Sequence, residues 1–310
     1  MHTYSAYGLG IHSELLLPEL VAAPDAKADI IIRYGTVDHS SADIVNSNRC
    51  FHFSPDKACY YWDGIVAYQA QNGNEIIIDP DPETPESSLR IPLLGGVLFS
   101  LLYQRGLFVL HASAVNINGS VVAFLGLKGQ GKSTMAATLY GRGHSLVSDD
   151  MLAVQIEGDA GAMAIPGFPN LKIWPEAAAS ALGDDPEDLP RLIEGYEKRA
   201  RGATTGFSLD PAPLSHIFVL GSGPRPQIEP MSHQEAVSQL LCQSYPARVF
   251  GSLLQGEAAS KNFRQCASLI NKVPVHWLKR HRSLEALPDV ARLVEEHLAT
   301  SNTEDQLTTR

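Results

Sequence analysis

Short runs of alternating apolar and polar residues characterise the first ninety positions of the chain. These runs are rich in β-branched and aromatic side chains, as half-buried strands are. We predict strands at 28–34, 50–53, 59–62 and 75–79. Turn residues separate the runs, and the acidic, proline-rich segment 79–85 ends the series. The pattern predicts a smaller β-rich N-terminal domain over residues 1–95.

A continuous apolar stretch follows at 91–103. Pro92 and the Gly95-Gly96 pair interrupt it, well short of the ~18 apolar residues that a membrane span needs. The stretch therefore predicts a buried helix over 92–104, and we expect no membrane partner.

Strand-like and helical periodicities are mixed after residue 110. Strands are predicted at 113–117, 121–125, 145–148, 152–156, 217–220 and 273–278. Helices are predicted at 133–140, 175–182, 186–200, 232–243, 257–271 and 284–299. Asn118-Gly119 is typical of a tight hairpin turn between the first two of these strands. The mixture predicts an α/β catalytic domain over 96–300, followed by a flexible polar tail at 301–310.

Composition restricts the function classes. The chain has 310 residues, of which 44% are apolar and 19% charged, so we expect a folded protein of about two domains or one large one. Its formal net charge of −10 argues against a nucleic-acid partner, because non-specific binding of nucleic acid depends on cationic side chains. The oligomeric state stays open, with a homo-oligomer among the alternatives.

The cysteines and the first residues indicate the compartment. Cysteines stand at 50, 59, 242 and 266, with no Cys-x-x-Cys pair and no histidines at zinc-ligand spacing. They are expected to be reduced thiols. The first residues lack a basic segment followed by an apolar run, so we expect no signal peptide and a cytoplasmic protein.

The strongest chemical signal is a glycine-rich loop between a predicted strand and a predicted helix. GLKGQGKST at 126–134 fits G-x-x-x-x-G-K-[ST] without a gap. Such loops aim backbone N–H groups and a helix N-terminus at phosphate. ATP-binding residues are therefore predicted at Gly126, Lys128, Gly129, Gln130, Gly131, Lys132, Ser133 and Thr134. Lys132 would contact the β- and γ-phosphates, and the Ser133 hydroxyl would bind Mg²⁺. For Lys128, the alternative is a lysine that is exposed to solvent at the tip of the loop.

Two adjacent carboxylates follow the next predicted strand. Asp149 and Asp150 stand after the strand 145–148, one helix and one turn beyond Lys132, so the chain returns them to the loop. One carboxylate can hold Mg²⁺, directly or through water, and the other can accept the proton of an attacking hydroxyl. An acidic turn that caps the next element is the structural alternative.

Three segments in order resemble the catalytic domain of HPr kinase/phosphorylase: HASAV at 111–115, the loop at 126–134, and RGHSLVSDD at 142–150. The resemblance implies a PEP-carboxykinase-like P-loop kinase core that uses ATP and Mg²⁺. It also implies that Asp149 is the metal-side carboxylate, that Asp150 is the general base, and that His111 tunes this base. The later family signature appears only loosely, at 197–202, so a reverse phosphorylase reaction stays open.

Segments outside this core are similar to the HPr-kinase homologues of lasso-peptide gene clusters. The similar segments are 4–9, 13–20, 166–175 and 273–275. Those homologues phosphorylate a serine near the C-terminal end of a precursor peptide. The resemblance therefore implies a serine kinase whose acceptor partner is a peptide or small protein.

Cations beyond the loop are candidates for contacts to phosphate or to a peptide carboxylate. They are Lys172, Lys198, Arg199 and Arg201, for which surface salt bridges are an equal alternative. Two other functions are compatible with the residues. One is a regulatory module that binds a nucleotide without turnover, and the other is a kinase acting on HPr or on a small molecule such as serine.

Overall fold

The computed structural model describes residues 1–38, 43–46, 49–157, 161–193, 195–251 and 254–308. Within the described residues up to Pro80, nine strands form one sheet in the order β3-β1-β2-β4-β9-β8-β7-β6-β5. Their bounds are β1 His2–Ala6, β2 Leu9–Ser13, β3 Val21–Ala22, β4 Ile30–Tyr34, β5 Asp43–Asn46, β6 Arg49–Phe53, β7 Lys57–Trp62, β8 Val66–Gln71 and β9 Glu75–Pro80. Each of the four strands predicted here is confirmed, and the sequence pattern missed β1, β2, β3, β5 and β8.

A kinked helical segment covers one face of this sheet. It consists of α1 (Glu86–Pro92), a π-helical turn (Leu93–Val97) and α2 (Leu98–Gln104), and it contains the predicted helix. Gly95 has non-helical dihedrals (φ −106°, ψ −112°) and marks the kink. The hydroxyl of Tyr60 donates to the carbonyl of Gly96 over 2.7 Å, which satisfies a group that the kink frees. The division expected at residue 95 thus falls inside a segment that packs on the first sheet.

The second half of the chain begins a new sheet at Phe108. Its strands are β10 Phe108–Leu110, β11 Ser113–Ile117, β12 Ser120–Leu125, β13 Ser145–Ser148, β14 Leu152–Glu157, β15 Gly161–Ile165, β18 Ala212–Ser222, β19 Gln227–Pro230 and β20 Val275–Arg280. A separate two-stranded sheet pairs β16 Asn170–Ile173 with β17 Arg199–Gly202. The helices are α3 Lys132–Gly141, α4 Pro175–Leu182, α5 His233–Gln243, α6 Tyr245–Phe250, α7 Gly256–Ile270 and α8 Leu287–Thr308.

Helices cover both faces of this second sheet. Residues of α3, α4 and α8 share one buried apolar cluster with β12 and β18, and residues of α5 and α7 share another with the opposite face. The domain is thus a mixed α/β structure of three layers, as the sequence predicts. None of the helices in the described ranges combines the length and the apolar character that crossing a membrane requires.

The helix predicted over 186–200 is wrong. The chain forms a short 3-10 turn at Pro186–Asp188 and then runs without a helix to β17. The acidic run at 184–188 imitates a helix N-terminus, but Pro190 cannot donate a helical hydrogen bond and disfavours a helical residue before it. At the other end of the chain, α8 continues to Thr308, into the segment expected to be a flexible tail.

Candidate active site

Sheet topology brings the separate sequence motifs to one edge. β11 pairs antiparallel with both β12 and β13, so β12 and β13 point the same way. β12 is also parallel to β18, and β18 is parallel to β20. The carboxyl ends of β12, β13 and β20 therefore meet at the same edge as the start of β11. The glycine-rich loop, the aspartate pair and His111 lie at that edge.

The phosphate loop has the backbone that its glycines predict. Gly126, Gly129 and Gly131 have φ values of 154°, 82° and 87°, and α3 starts directly after Gly131. The Lys132 ammonium donates to the carbonyl of Gly126 over 2.9 Å. The side-chain carbonyl of Gln130 accepts from the backbone N–H of Leu127 over 2.7 Å. The loop is thus folded around its own lysine at the N-terminus of a helix, the arrangement that binds phosphate.

Lys132 is a buried cation. Its side chain sits at the loop with only 7% of the residue exposed. Burial, with a contribution from the positive charge of Arg248, lowers the pKa of Lys132 to about 8. A bound phosphate would offset this cost, because an adjacent anion favours the charged form of the lysine.

Two arginines at the carboxyl end of β20 hold the loop from the other side. The guanidinium of Arg280 donates to the carbonyl of Gln130, and Arg282 donates to the carbonyl of Gly129 over 2.6 Å. Both arginines lie at the end of β20, far from the loop in sequence. Sequence reasoning missed them because no local motif marks an arginine that reaches a backbone carbonyl across the sheet edge.

Asp149 is held from two sides behind the cavity wall. Its Oδ1 accepts from the Ser113 hydroxyl over 2.6 Å, and its Oδ2 accepts from the backbone N–H of Lys172 over 2.8 Å. The residue is 5% exposed. These hydrogen bonds tie β13 to β11 and β16, so Asp149 has a clear architectural function at the site.

Asp150 is the carboxylate that reaches the cavity. Its Oδ2 lies 2.9 Å from the Lys172 ammonium, and its Oδ1 lies 3.0 Å from Nδ1 of His111. The same His111 nitrogen is 3.0 Å from the backbone carbonyl oxygen of Asp150. Asp150 has a φ of 74°, a left-handed conformation that is uncommon for a residue with a side chain. Strain of this kind concentrates at functional sites.

The charge state of this cluster follows from its contacts. Burial raises the pKa of Asp150, but the Lys172 ammonium and His111 more than compensate and hold it well below its usual range. Burial lowers the pKa of Lys172, and the Asp150 carboxylate reverses this effect and raises it above its usual value. Asp150 is thus an ionised carboxylate and Lys172 an ammonium at neutral pH.

Aromatic side chains and a backbone hydrogen bond fix His111 in place. Its backbone N–H donates to the carbonyl of Gln243 over 2.8 Å. Its ring lies 6.2 Å from the ring of Tyr245 in an edge-on arrangement. The residue is 9% exposed. The imidazole is therefore oriented toward Asp150 by residues that sequence reasoning did not connect with it.

One cavity of about 380 Å³ joins these parts. The predicted residues that line it are His111, Lys128, Gly129, Gly131, Lys132, Ser133, Thr134, Asp150, Lys172 and Lys198. A smaller cavity of about 160 Å³, on the Arg280 side of the loop, includes Gln130. Asp149 and Gly126 are not among the residues that line either one.

Two of the nominated cations point elsewhere. Arg199 is buried, and its guanidinium donates to the carbonyls of Pro186 and Glu197. Arg201 forms an ion pair with Asp184 and lies 5.1 Å from the Tyr140 ring. The structure thus separates Lys172 and Lys198, which line the cavity, from these two arginines, which support the surrounding loops.

The donor set of the site fits a magnesium nucleotide. The positive-φ glycines leave a cradle in which a side chain at Gly131 would stand 3.0 Å from Arg280. The Ser133 hydroxyl on the cavity wall is an oxygen ligand of the kind that suits Mg²⁺. Among the described residues, no group of three or more His, Cys, Asp or Glu is placed to hold a metal ion by itself.

Comparisons with known proteins give a distant likeness to solved structures. No family model matches the chain, and no curated protein matches it. Among solved structures it is similar to the HPr(Ser) kinase/phosphatase from Coxiella burnetii, with 13% sequence identity and a TM-score of 0.35. That likeness covers 65% of this chain and 96% of the other. At this level of similarity, the chemistry of the site is argued from its own residues.

Proposed function

We propose that the chain is an ATP- and Mg²⁺-dependent kinase that transfers the γ-phosphoryl group to a serine hydroxyl of a peptide or small protein. One observation carries the proposal. A phosphate loop with Lys132 and Ser133 lines the same cavity as Asp150, whose pKa is held low so that it is ionised. Phosphoryl transfer needs these two parts side by side.

The phosphate end of the proposed reaction belongs to the loop and α3. Backbone N–H groups at the start of α3 and the Lys132 ammonium stabilise charge on the phosphate oxygens. Mg²⁺, when bound, would supply further charge neutralisation. Ser133 would hold it directly. Asp149 is proposed to act through water, since its oxygens already accept hydrogen bonds from Ser113 and Lys172.

The acceptor end belongs to Asp150. An incoming serine hydroxyl donates its hydrogen bond to this carboxylate, which takes the proton as the hydroxyl oxygen bonds to the γ-phosphorus. The bond from that phosphorus to the β–γ bridging oxygen breaks, and ADP leaves. His111 and Lys172 hold the two carboxylate oxygens at 3.0 and 2.9 Å and so fix the direction of the free lone pairs. Because their charges also lower the pKa of Asp150, the base is ionised before the acceptor arrives.

The specific acceptor that we propose is the C-terminal region of a lasso precursor peptide. The sequence resemblance of the segments outside the core supports this choice, and it agrees with the cationic residues Lys172 and Lys198 at the cavity.

The proposal is tested by incubating the purified protein with Mg²⁺, γ-labelled ATP and serine-containing peptides. We expect label on the peptide with the wild-type protein and none above background with Lys132→Met. Asp210→Asn, a substitution at an exposed aspartate remote from the cavity, controls for loss of surface charge. Nucleotide binding without transfer would favour the regulatory module, and label on free serine alone would favour a small-molecule kinase.

A further inference from the structure

The cavity contains more positive charge than the phosphate loop and the catalytic carboxylate use. Five cationic side chains and one carboxylate are among the described residues that line it. Lys128 and Lys132 belong to the loop, and Lys172 is paired with Asp150. Lys198 and Arg248 remain, and both line the cavity together with the loop.

Neither remaining cation has an anionic partner among the described residues. The Lys198 ammonium lies 5.9 Å from the centre of the Trp174 ring, a cation–π contact that leaves its hydrogen-bond donors available. Arg248, on α6, is exposed at the cavity.

The strand register explains why Lys198 and Trp174 lie together. Ile173 of β16 pairs with Arg199 of β17, so Trp174 and Lys198 are the next residues outward on the two strands. Lys172 and Trp174 are two residues apart and therefore project to the same face. That face leads from the Asp150 carboxylate, which Lys172 contacts, to the rim formed by Trp174 and Lys198.

The rim also offers an apolar surface. The Trp174 and Tyr196 rings are 5.8 Å apart, and Trp174 is 40% exposed. Leu192 and Ile91 line the same cavity. A partly exposed aromatic pair beside these two cations favours a ligand that has both an apolar group and an anion.

We propose that this wall is the acceptor subsite, and that Lys198 and Arg248 select a hydroxyl-bearing peptide with a carboxylate beside the phosphorylated serine. Trp174 and Tyr196 would pack against an apolar neighbour of that serine. This inference depends on the proposed kinase function. The carboxylate can come from an acidic side chain or from the end of the peptide, because both present the same anionic group to a lysine and an arginine.

The experiment uses short single-serine peptides and the full-length protein with Mg²⁺ and γ-labelled ATP. The residue beside serine is Asp or Asn, and each peptide is made with a free or an amidated C-terminus. We expect transfer to be about tenfold faster when one carboxylate is present than when both are absent. Comparison of the Asp amide with the Asn free acid identifies the source of the carboxylate.

Variants separate recognition from chemistry. Lys198→Gln and Arg248→Gln should lose most of the preference for the carboxylate through a higher KM for the peptide. Lys198→Glu should shift the preference toward a peptide with lysine beside serine. Arg225→Gln, at an exposed arginine outside this cavity, is the matched control and should keep the wild-type preference.

The outcomes distinguish the two proposals. ATP binding with transfer that ignores the carboxylate, or a preference unchanged in both glutamine variants, would overturn the acceptor subsite and leave the kinase function standing. ATP binding without transfer to any peptide would overturn both the acceptor subsite and the kinase function, and would favour the regulatory module. No ATP binding and no transfer would overturn the kinase function as well.

Discussion

Asp150 has an uncommon backbone conformation, and both of its carboxylate oxygens have a polar partner. Its two carboxylate oxygens face His111 and Lys172, and its φ is 74°. Sequence reasoning reached Asp150 and His111 through spacing and family resemblance. It placed Lys172 only among general cations, because the contact joins Lys172 of β16 to Asp150, which lies twenty-two positions earlier in the bend between β13 and β14.

His111 is predicted to act through Asp150. In His111→Gln we expect kcat to fall by about ten- to a hundredfold, with little change in the KM for ATP. His111 contributes to the low pKa of Asp150, so its removal raises that pKa, and the acidic limb of the pH–rate profile moves to higher pH. A variant with lower kcat but an unmoved acidic limb would contradict this function.

The lowered pKa of Lys132 predicts how the affinity for ATP depends on pH. Its pKa is lowered to about 8, so the ammonium that phosphate requires is present below pH 8 and is lost above it. We expect the Kd for ATP to rise by up to about tenfold per pH unit above pH 8. Equilibrium binding between pH 6.5 and 9.5 measures this, with Lys132→Arg as the variant whose charge persists. A Kd for the wild-type protein that is constant to pH 9.5 would be the contrary result.

At the scale of elements, the phosphate loop depends on glycines that its backbone requires. Gly131 has a φ of 87°, and a Cβ there would stand 3.0 Å from the Arg280 guanidinium. We expect Gly131→Ala to weaken ATP binding by about tenfold or more, because it strains the loop and displaces the arginine that holds it.

The hairpin turn between β11 and β12 offers a matched control for this glycine. Gly119 has a φ of 91°, similar to that of Gly131, but has open space around its Cβ position. Gly119→Ala should lower stability by about 1 kcal/mol without changing the Kd for ATP. Equal Kd values for the two alanine variants, measured by calorimetry, would show that loop geometry does not govern binding.

An element could be predicted from the sequence where the residues that determine it are close together along the chain. The strand before the phosphate loop, the loop and α3 are encoded by adjacent residues, and the sequence predicted them at the observed positions. β16 and β17 were missed because their pairing depends on partners about thirty residues apart, Asn170 with Gly202 and Ile173 with Arg199. The false helix at 186–200 came from charges that suit a helix start at a place where prolines exclude a helix.

At the scale of the whole molecule, a histidine cluster on the face of the second sheet predicts sensitivity to acid. The rings of His216, His276 and His297 lie 4.9 to 5.7 Å apart. Burial, with the charge of His297, lowers the pKa of His276 to about 4, and burial lowers the pKa of His297. In the unfolded chain these histidines bind protons near pH 6.5. The contribution of the cluster to the stability of the fold is therefore fully present above that pH and is lost as the pH falls toward 4.

Thermal unfolding from pH 4.5 to 7.5 tests this dependence. The Tm of the wild-type protein should fall more steeply below pH 6.5 than that of His276→Asn. His2→Asn, at an exposed histidine, should follow the wild-type curve. Parallel curves for His276→Asn and wild type would show that the cluster does not contribute.

The central claim is that one cavity binds ATP and positions Asp150 to accept the proton of a serine hydroxyl. The most direct measurement compares wild-type protein with Asp150→Asn for two quantities: the Kd for ATP and the rate of label transfer from γ-labelled ATP to a serine peptide. The account predicts a Kd within about threefold of wild type and a transfer rate lower by about a hundredfold or more. Undiminished transfer by Asp150→Asn would contradict it.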